Sequence, residues 1–431
     1  MRAIRIWFLA ALSFGFNFVV MIYLASDRFS NMPSVGDVSL YRNSRYFIAA
    51  TAKPAEADRS CSKSIIYFGL RQHWFTFCSF PEFAQYKHMI EFPRTVNCPE
   101  VNCSVKVDYT QNAADIIGHD IVVFTDVNEW MKPEMWDWLH GNRTEGQIWT
   151  MITEESPLYV PGVQPPAKYA NKSFDWIDSY MSGADFVHPY GKYEKYCEYN
   201  RPPAIDIRQF LIGKTKLISW MGSHCETLQW DRMKFVEAVK QIITVDTYGK
   251  CGDKEVPWNN DQIILDTLGK YKFYLSLENS CCNEYLTEKF WRALEMGMVP
   301  VVLGAPLEHY RKLAPPNSFI HVDQFNTLAE LAVHLITLHS NDERYLEYHK
   351  WRNEGKLISY GQEEQYVRPL NNETQCSMLG KLLNTDLKTQ RKLDYFGPRW
   401  YGSCMKCGEK EWISKFLHAE DHQRSNSDIW A

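Results

Sequence analysis

Residues 278–292 combine polar and charged side chains in a spacing suited to binding an anion. An apolar run ends just before Asn279, and a helix is predicted to begin near Tyr285. Polar residues recur at i, i+3, i+4 and i+7 and so share one face of that helix: Tyr285, Glu288, Lys289 and Arg292. A helix start presents backbone N–H groups to an anion, and Lys289, Asn279 and Tyr285 are candidates for contacts with such a ligand. On spacing alone, an amphipathic surface helix with an internal Glu–Arg pair is the alternative.

Two other segments place charged residues after predicted strands. Arg232 stands near the start of a predicted helix over 230–243, after a strand and loop at 216–225. A guanidinium suits phosphate because its fork of donors binds two oxygens at once. In the other segment, a strand at 148–152 is followed by Glu154 and Glu155. A solvated arginine and a surface-loop carboxylate are the alternatives for the two segments.

These segments resemble the α1,3/4-fucosyltransferases, whose donor-site signature reads F-x-N-S, a short gap and then Y-x-T-E-K. Residues 277–289 match its spaced polar positions, and residues 147–157 are similar to the segment of the family that ends in Glu-Ser-Pro. Residues 182–191 are similar to a third segment, for which a structural role is expected. The resemblance covers roughly residues 147–407 and implies GDP-fucose as the donor substrate.

The resemblance also implies a role for each matched residue. The donor-binding set is Arg232, Asn279, Tyr285, Glu288 and Lys289. Within it, Lys289 is expected to contact a phosphate, and Asn279 and Tyr285 to hydrogen-bond the sugar or the phosphates. Arg232 corresponds to the arginine that binds the diphosphate, and Glu288 to the carboxylate that accepts hydrogen bonds from the donor sugar. Glu155 corresponds to the general base. Glu154 competes for that role, but the spacing to the following Ser-Pro favours Glu155. His224 stands where many members carry Asn and is not assigned to the site.

The donor half contains no clear Asp-x-Asp pair, the motif with which metal-dependent transferases bridge a diphosphate to a cation. Lys289 and Arg232 are predicted to neutralise the diphosphate instead. No cofactor is therefore expected to be obligatory, and stimulation by Mn²⁺ through faster product release is left open.

The elements that position these residues alternate between apolar runs and helical spacing, which predicts an α/β fold with parallel sheets. Predicted strands lie at 65–68, 121–124, 148–152, 186–188, 217–221, 245–248, 273–277, 299–303 and 319–322, and predicted helices at 230–243, 285–296 and 328–338. A Pro-Pro segment at 201–204 is a plausible linker. Two Rossmann-like domains facing a cleft follow, which is also the GT-B-like fold that the resemblance implies.

The N-terminus differs from the rest of the chain. No charge occurs over residues 6–26, and Arg2 and Arg5 precede this run, which predicts an uncleaved signal anchor with the short tail in the cytoplasm. A cleaved signal peptide is the alternative. The predicted divisions are a tail at 1–5, the transmembrane anchor at 6–26, a stem at 27–60, an acceptor-side domain at 61–200, a GDP-fucose-binding domain at 201–375 and a C-terminal segment packing back at 376–431.

Twelve cysteines and four sequons, at Asn102, Asn142, Asn171 and Asn372, are typical of a secretory-pathway protein. Cys225 and Cys251 follow neighbouring predicted strands and are predicted to form a disulfide. Cys404 and Cys407 form a Cys-x-x-Cys pair; half a zinc site or a redox pair is possible on pattern alone, whereas the resemblance implies disulfides to N-terminal cysteines.

The function that follows is an inverting α1,3-fucosyltransferase of the Golgi membrane, single-pass type II, with its catalytic part in the lumen. The Ser-x-Cys and Tyr-Gly-x-Cys segments around Cys225 and Cys251 resemble plant and invertebrate core enzymes, so the core GlcNAc of glycoprotein N-glycans is the favoured acceptor. The alternatives are an antennal Lewis or LacdiNAc-type enzyme, another inverting transferase that uses a different nucleotide sugar, and an inactive membrane-anchored glycan-binding protein. With 47 basic and 52 acidic residues, the chain has no electrostatic footprint for nucleic acid.

Overall fold

The computed structural model describes residues 61–69, 91–125, 131–159, 163–225, 229–256, 261–360, 368–386, 389 and 391–417. The predicted tail, anchor and stem lie outside these ranges. Within them, no helix combines the length and the apolar character that crossing a membrane requires.

The first sheet has seven strands in the order β2-β3-β1-β4-β5-β6-β7. All neighbours are parallel except β2 and β3, which are antiparallel. Its strands are β1 (Cys61–Phe68), β2 (Arg94–Cys98), β3 (Cys103–Thr110), β4 (Ile121–Phe124), β5 (Ile148–Ile152), β6 (Trp176–Ser179) and β7 (Phe186–Val187).

Both faces of this sheet are buried, which explains the apolar runs in β1, β4 and β5. Ile66, Val122 and Met151 point into one core, whereas their neighbours Ile65 and Val123 point into another on the opposite face. The predicted strands of this half are confirmed, while β2, β3 and β6 were not predicted because polar residues interrupt them.

The second sheet has five parallel strands in the order β10-β9-β11-β12-β13. Its strands are β9 (Lys216–Met221), β10 (Val245–Tyr248), β11 (Tyr271–Leu277), β12 (Val299–Leu303) and β13 (Ile320–His321). All five were predicted. Together the two sheets confirm the α/β class.

Eight α-helices accompany the sheets within the described residues. They are α1 (Pro133–Gly141), α2 (Arg232–Lys240), α3 (Asp261–Leu268), α4 (Glu288–Glu295), α5 (Leu307–Leu313), α6 (Leu328–His339), α7 (Asp342–Leu346) and α8 (Asn372–Asn384). Helices α2, α4 and α6 confirm the three predicted helices, although α2 and α4 are shorter than expected.

A two-stranded antiparallel ribbon pairs β8 (Gly191–Lys195) with β14 (Gly355–Ser359). Gly191 has to be glycine, because a Cβ there would lie 2.4 Å from the indole of Trp291. Through this pairing, the ribbon joins the end of the first half of the chain to a segment that follows the second sheet.

The chain returns to the first sheet earlier than the predicted boundary at residue 376. The Tyr67 hydroxyl donates to the Pro369 carbonyl at 2.9 Å, and Met378 and Leu379 of α8 are buried against β1–β3. The apolar face of α8 needs this cover, and a disulfide between Cys98 and Cys376 fixes it there.

Candidate active site

A cleft opens at the carboxyl ends of β5, β9 and β11, the edge at which α/β sheets bind ligands. Its lining comes from both halves of the chain: Glu154, Glu155, Tyr159, Tyr190, Met221, Gly222, Ser223, His224, Arg232, Tyr274, Asn279, Tyr285, Glu288, Lys289, Arg292 and Tyr360. Every donor-binding residue predicted from the sequence is in this set, as is Glu155. The structure therefore brings the predicted site together from segments more than a hundred residues apart.

Helix α4, which carries Lys289, begins at Glu288, three residues later than predicted. Thr287 is its N-cap, with a backbone φ of −88° and ψ of −174°, and the Thr287 hydroxyl accepts from the Lys289 amide. Glu284 upstream has a φ of 60°, in the left-handed region, which is incompatible with a continuous helix. Tyr285 thus lies in the preceding loop rather than on the polar face of α4.

Glu278 supports this segment, although sequence reasoning did not assign it a role. Its carboxylate is fully buried and accepts from the amide of Thr287 at 2.9 Å and from the hydroxyl of Thr287 at 2.7 Å. Burial raises the pKa of Glu278. An acid that ends an otherwise apolar strand was the available signal, because a buried carboxylate must have polar partners.

Lys289 extends from α4 above this carboxylate. Its Nζ lies 3.0 Å from Glu288 Oε1 and 3.5 Å from Glu278 Oε2. Burial opposes the charge, but Glu288 and Glu278 outweigh it and raise the pKa of Lys289. Lys289 is therefore a firmly protonated cation that lines the cleft.

The neighbouring Glu288 remains ionised beside these cations. Burial would raise its pKa, but Lys289 and Arg292 lower it to about 2. The side chain can accordingly accept hydrogen bonds at neutral pH.

Arg232 is the first residue of α2 and is 7% exposed. Its guanidinium donates to the carbonyls of His224 at 3.0 Å and Leu277 at 3.4 Å. Burial lowers its pKa. Glu278 and Glu288 act electrostatically on this buried charge, and Arg232 lines the cleft together with Lys289. His224 contributes its backbone to this arrangement.

Glu155 faces these cations from the end of β5. Its Oε2 accepts from the Tyr285 hydroxyl at 2.6 Å, and its amide donates to Thr153 Oγ1 at 3.1 Å. Glu154 is more deeply buried, at 4% exposure, and its carbonyl accepts from the Tyr190 hydroxyl. The partly exposed Glu155 is thus better placed than Glu154 to meet a second substrate.

The C-terminal cysteines reinforce the donor segment. Cys281 bonds to Cys407 and Cys282 to Cys404, so the expected link from Cys404 and Cys407 to N-terminal cysteines is wrong. The reason is that residues 403–405 run beside 281–283, with Met405 donating its amide to the Cys281 carbonyl at 2.8 Å. Because both sulfurs are bonded, the zinc and redox alternatives for this pair no longer apply.

The remaining bridges join Cys61 to Cys103 and Cys225 to Cys251, the second as predicted. The four sequon asparagines, Asn102, Asn142, Asn171 and Asn372, are exposed.

Comparison with known proteins finds similarity to fucosyltransferases. Residues 211–395 match the model of "Glycosyltransferase family 10 (fucosyltransferase) C-term". The chain is 38% identical over 215 residues to Alpha-(1,3)-fucosyltransferase 4 of Bos taurus, covering 49% of this chain and 52% of that protein. It is 34% identical over 231 residues to Glycoprotein 3-alpha-L-fucosyltransferase A of Drosophila melanogaster, covering 53% and 44%.

A third relative is the human 4-galactosyl-N-acetylglucosaminide 3-alpha-L-fucosyltransferase FUT6, 33% identical over 265 residues, covering 60% of this chain and 66% of that protein. The chain thus spans about half the length of several curated relatives that it matches. Among solved structures, an alpha1,3-fucosyltransferase with GDP-fucose aligns over 79% of this chain and 96% of that chain, with 15% identity and a TM-score of 0.45.

Proposed function

Since the chain belongs to the fucosyltransferases of glycosyltransferase family 10, we propose that it transfers L-fucose from GDP-fucose to a GlcNAc of glycoprotein N-glycans, with inversion, to form an α1,3 linkage. The observation that carries this proposal is the opposition of charges in one cleft. Lys289 and Arg232 line one wall and Glu155 lines the other. A leaving diphosphate and an attacking hydroxyl need these two kinds of group.

The wall that carries Arg232 and Lys289, here called the donor wall, is suited to the leaving group. The guanidinium of Arg232 and the ammonium of Lys289 bind the diphosphate and neutralise the charge that develops on it. Glu288, ionised at neutral pH, accepts hydrogen bonds from the fucose hydroxyls, and Asn279 donates to the sugar or the phosphates. These roles extend the family resemblance to the positions that line this cleft.

The opposite wall, which carries Glu155 and is here called the base wall, acts on the acceptor. Glu155 removes the proton from the GlcNAc hydroxyl as its oxygen attacks the anomeric carbon, and the configuration inverts because attack and departure take place on opposite faces. A GT-B-like pairing of two Rossmann-like domains accounts for this division, with the base in the first half and the donor site in the second.

The core GlcNAc is the acceptor that we favour. The segments around Cys225 and Cys251, joined by a disulfide, resemble those of core enzymes, and one relative is named a glycoprotein 3-alpha-L-fucosyltransferase. An antennal acceptor is the second candidate, because another relative is named for a 4-galactosyl-N-acetylglucosaminide.

Transfer assays test both candidates and the glycan-binding alternative. The protein is incubated with GDP-fucose and with core glycopeptide, LacNAc or LacdiNAc acceptors, followed by linkage analysis, with Glu155→Gln as the control. An α1,3-fucosylated core supports the proposal, and an antennal product selects the second candidate. Glycan binding with no turnover on any acceptor would overturn the enzymatic function.

We also propose a Golgi location, with residues 6–26 as a type II anchor and the catalytic part in the lumen. The uncharged run after Arg2 and Arg5 and the five disulfides support it. Protease protection of a C-terminal epitope in intact microsomes is expected. Digestion of that epitope from the cytosolic side would contradict the topology.

A further inference from the structure

We infer that Tyr285 is a positioning residue for the general base, so that the donor-side loop also orients Glu155. The inference rests on the proposed function, because it assigns Tyr285 a part in the same reaction. It differs from the sequence-based expectation, in which Tyr285 contacts the sugar or the phosphates.

The contact between the two side chains is direct. The Tyr285 hydroxyl donates to Glu155 Oε2 at 2.6 Å, across 130 positions of sequence. Tyr285 is 1% exposed, and its ring packs against Tyr180, with ring centroids 5.0 Å apart. A buried ring held in this way has little freedom to turn its hydroxyl toward another partner.

The loop at 281–287 that carries Tyr285 is anchored on both sides of it. Before it, the Glu284 carboxylate accepts from the amide of Ser182 at 2.6 Å, from the hydroxyl of Ser182 at 2.7 Å and from Lys312 Nζ at 2.8 Å. After it, Thr287 is bound to the buried carboxylate of Glu278. The position of the Tyr285 hydroxyl is therefore fixed before any substrate binds.

A second hydrogen bond joins the same two segments. The hydroxyls of Ser156 and Ser280 lie 2.7 Å apart, and both side chains are buried. The turn after β5 and the loop before α4 are thus joined by two hydrogen bonds, one of which ends on the Glu155 carboxylate. Holding one carboxylate oxygen fixes the rotation of the Glu155 side chain.

The protonation states suit this role. Burial and the nearby carboxylates raise the pKa of Tyr285, so the hydroxyl keeps its proton and acts as a donor. A donor to a carboxylate favours its ionised form, which is the form that accepts a proton. Among the described residues, the titratable groups that line the cleft around the pair or act on it include Glu154, Tyr180, Tyr190, His224, Arg232, Glu278, Glu288, Lys289 and Arg292.

The test is Tyr285→Phe, which removes only the hydroxyl. We expect kcat to fall roughly tenfold or more, the scale of one hydrogen bond to a charged group. The KM for GDP-fucose should stay within about twofold, and the acid limb of the pH–rate profile should move upward by about one unit, because the ionised carboxylate loses a donor. Unchanged GDP binding by calorimetry serves as the check that the donor side is folded.

Tyr180→Phe is the matched control. Tyr180 is a buried neighbour whose hydroxyl has no hydrogen-bond partner among the described residues. Its removal should leave the pH profile and kcat unchanged. In a Glu155→Gln background, Tyr285→Phe should add little further loss, because the two residues act as a unit.

The outcomes distinguish a failure of the Tyr285 inference from a failure of the proposed function. A higher KM for GDP-fucose with an unmoved acid limb would overturn the inference and return Tyr285 to donor binding. An equal loss in both backgrounds would do the same. If the unaltered protein transferred no fucose to any acceptor, the proposed function would fail, whatever the variants did.

Discussion

The two walls of the cleft are built by different means. The donor wall carries its cations at and near the starts of helices α2 and α4, and the loop before α4 is fixed by two disulfides and a buried carboxylate. The base wall carries its carboxylates on the turn after β5, which hydroxyl groups hold in place. The comparison indicates that the proposed phosphate-binding side is covalently fixed, whereas the proposed base depends on hydrogen bonds, one of which comes from the opposite wall.

The largest expected effect comes from the base wall. Glu155→Gln keeps the shape and removes the proton acceptor, so kcat should fall by about 10² to 10⁴-fold, the usual contribution of a general base. GDP affinity, measured by calorimetry, should hardly change, because Glu155 lies on the other wall. The control is Glu154→Gln. Should the Glu154 variant lose activity instead, the assignment of the base would move to Glu154.

The second prediction breaks the covalent support of the donor wall. Cys281–Cys407 and Cys282–Cys404 have sequence separations of 126 and 122 residues and close nearly the same loop. Replacing all four cysteines with serine should lower the free energy of unfolding by roughly 5 kcal/mol in the chain-entropy model. Removing either bridge alone should cost much less than half of that, because the other still closes the loop.

Urea unfolding of the three variants measures this non-additivity. The Cys225–Cys251 bridge, with a separation of 26 residues, provides a single-bridge reference of roughly 3 kcal/mol. Equal and additive losses from the two neighbouring bridges would contradict the redundancy.

A smaller effect is expected when one donor-wall charge is removed. Lys289→Ala should raise the KM for GDP-fucose and lower kcat, together by roughly 10- to 100-fold, since a hydrogen bond to a charged group contributes about 1.5–3 kcal/mol. Steady-state kinetics and GDP calorimetry measure both changes. Lys350→Ala, at an exposed ion pair with Glu347, is the control that should change neither. A Lys289 variant with normal GDP affinity would remove Lys289 from the donor site.

The smallest expected effect is none. Transfer should persist in excess EDTA, because Lys289 and Arg232 are proposed to neutralise the diphosphate without a cation. Partial slowing is compatible with Mn²⁺ assisting product release. Complete loss of transfer that added metal restores would show that a cation belongs to the donor wall.

The structural features that were predicted correctly depend on residues that are close together in the sequence. The strands at 121–124 and 299–303 are continuous apolar runs because both faces of each sheet are buried. Such runs can be recognised in the sequence without knowing which strands they pair with. The polar face of α4 follows from residue spacing in the same way. Cys225 and Cys251 were paired correctly because adjacent parallel strands bring their carboxyl ends to one edge.

Other features follow from contacts between distant segments. Sequence spacing placed Tyr285 on a helix, whereas the left-handed Glu284 and the Thr287 cap delay the helix and leave Tyr285 free to reach Glu155. Cys281 and Cys282 find the C-terminal cysteines only because the chain passes back beside them. Residue types and periodicity determined the two sheets and most of the charged residues that line the cleft, since these depend on local patterns of burial and charge. Tertiary structure decided which groups touch across the cleft, because such contacts depend on how segments more than a hundred residues apart pack together.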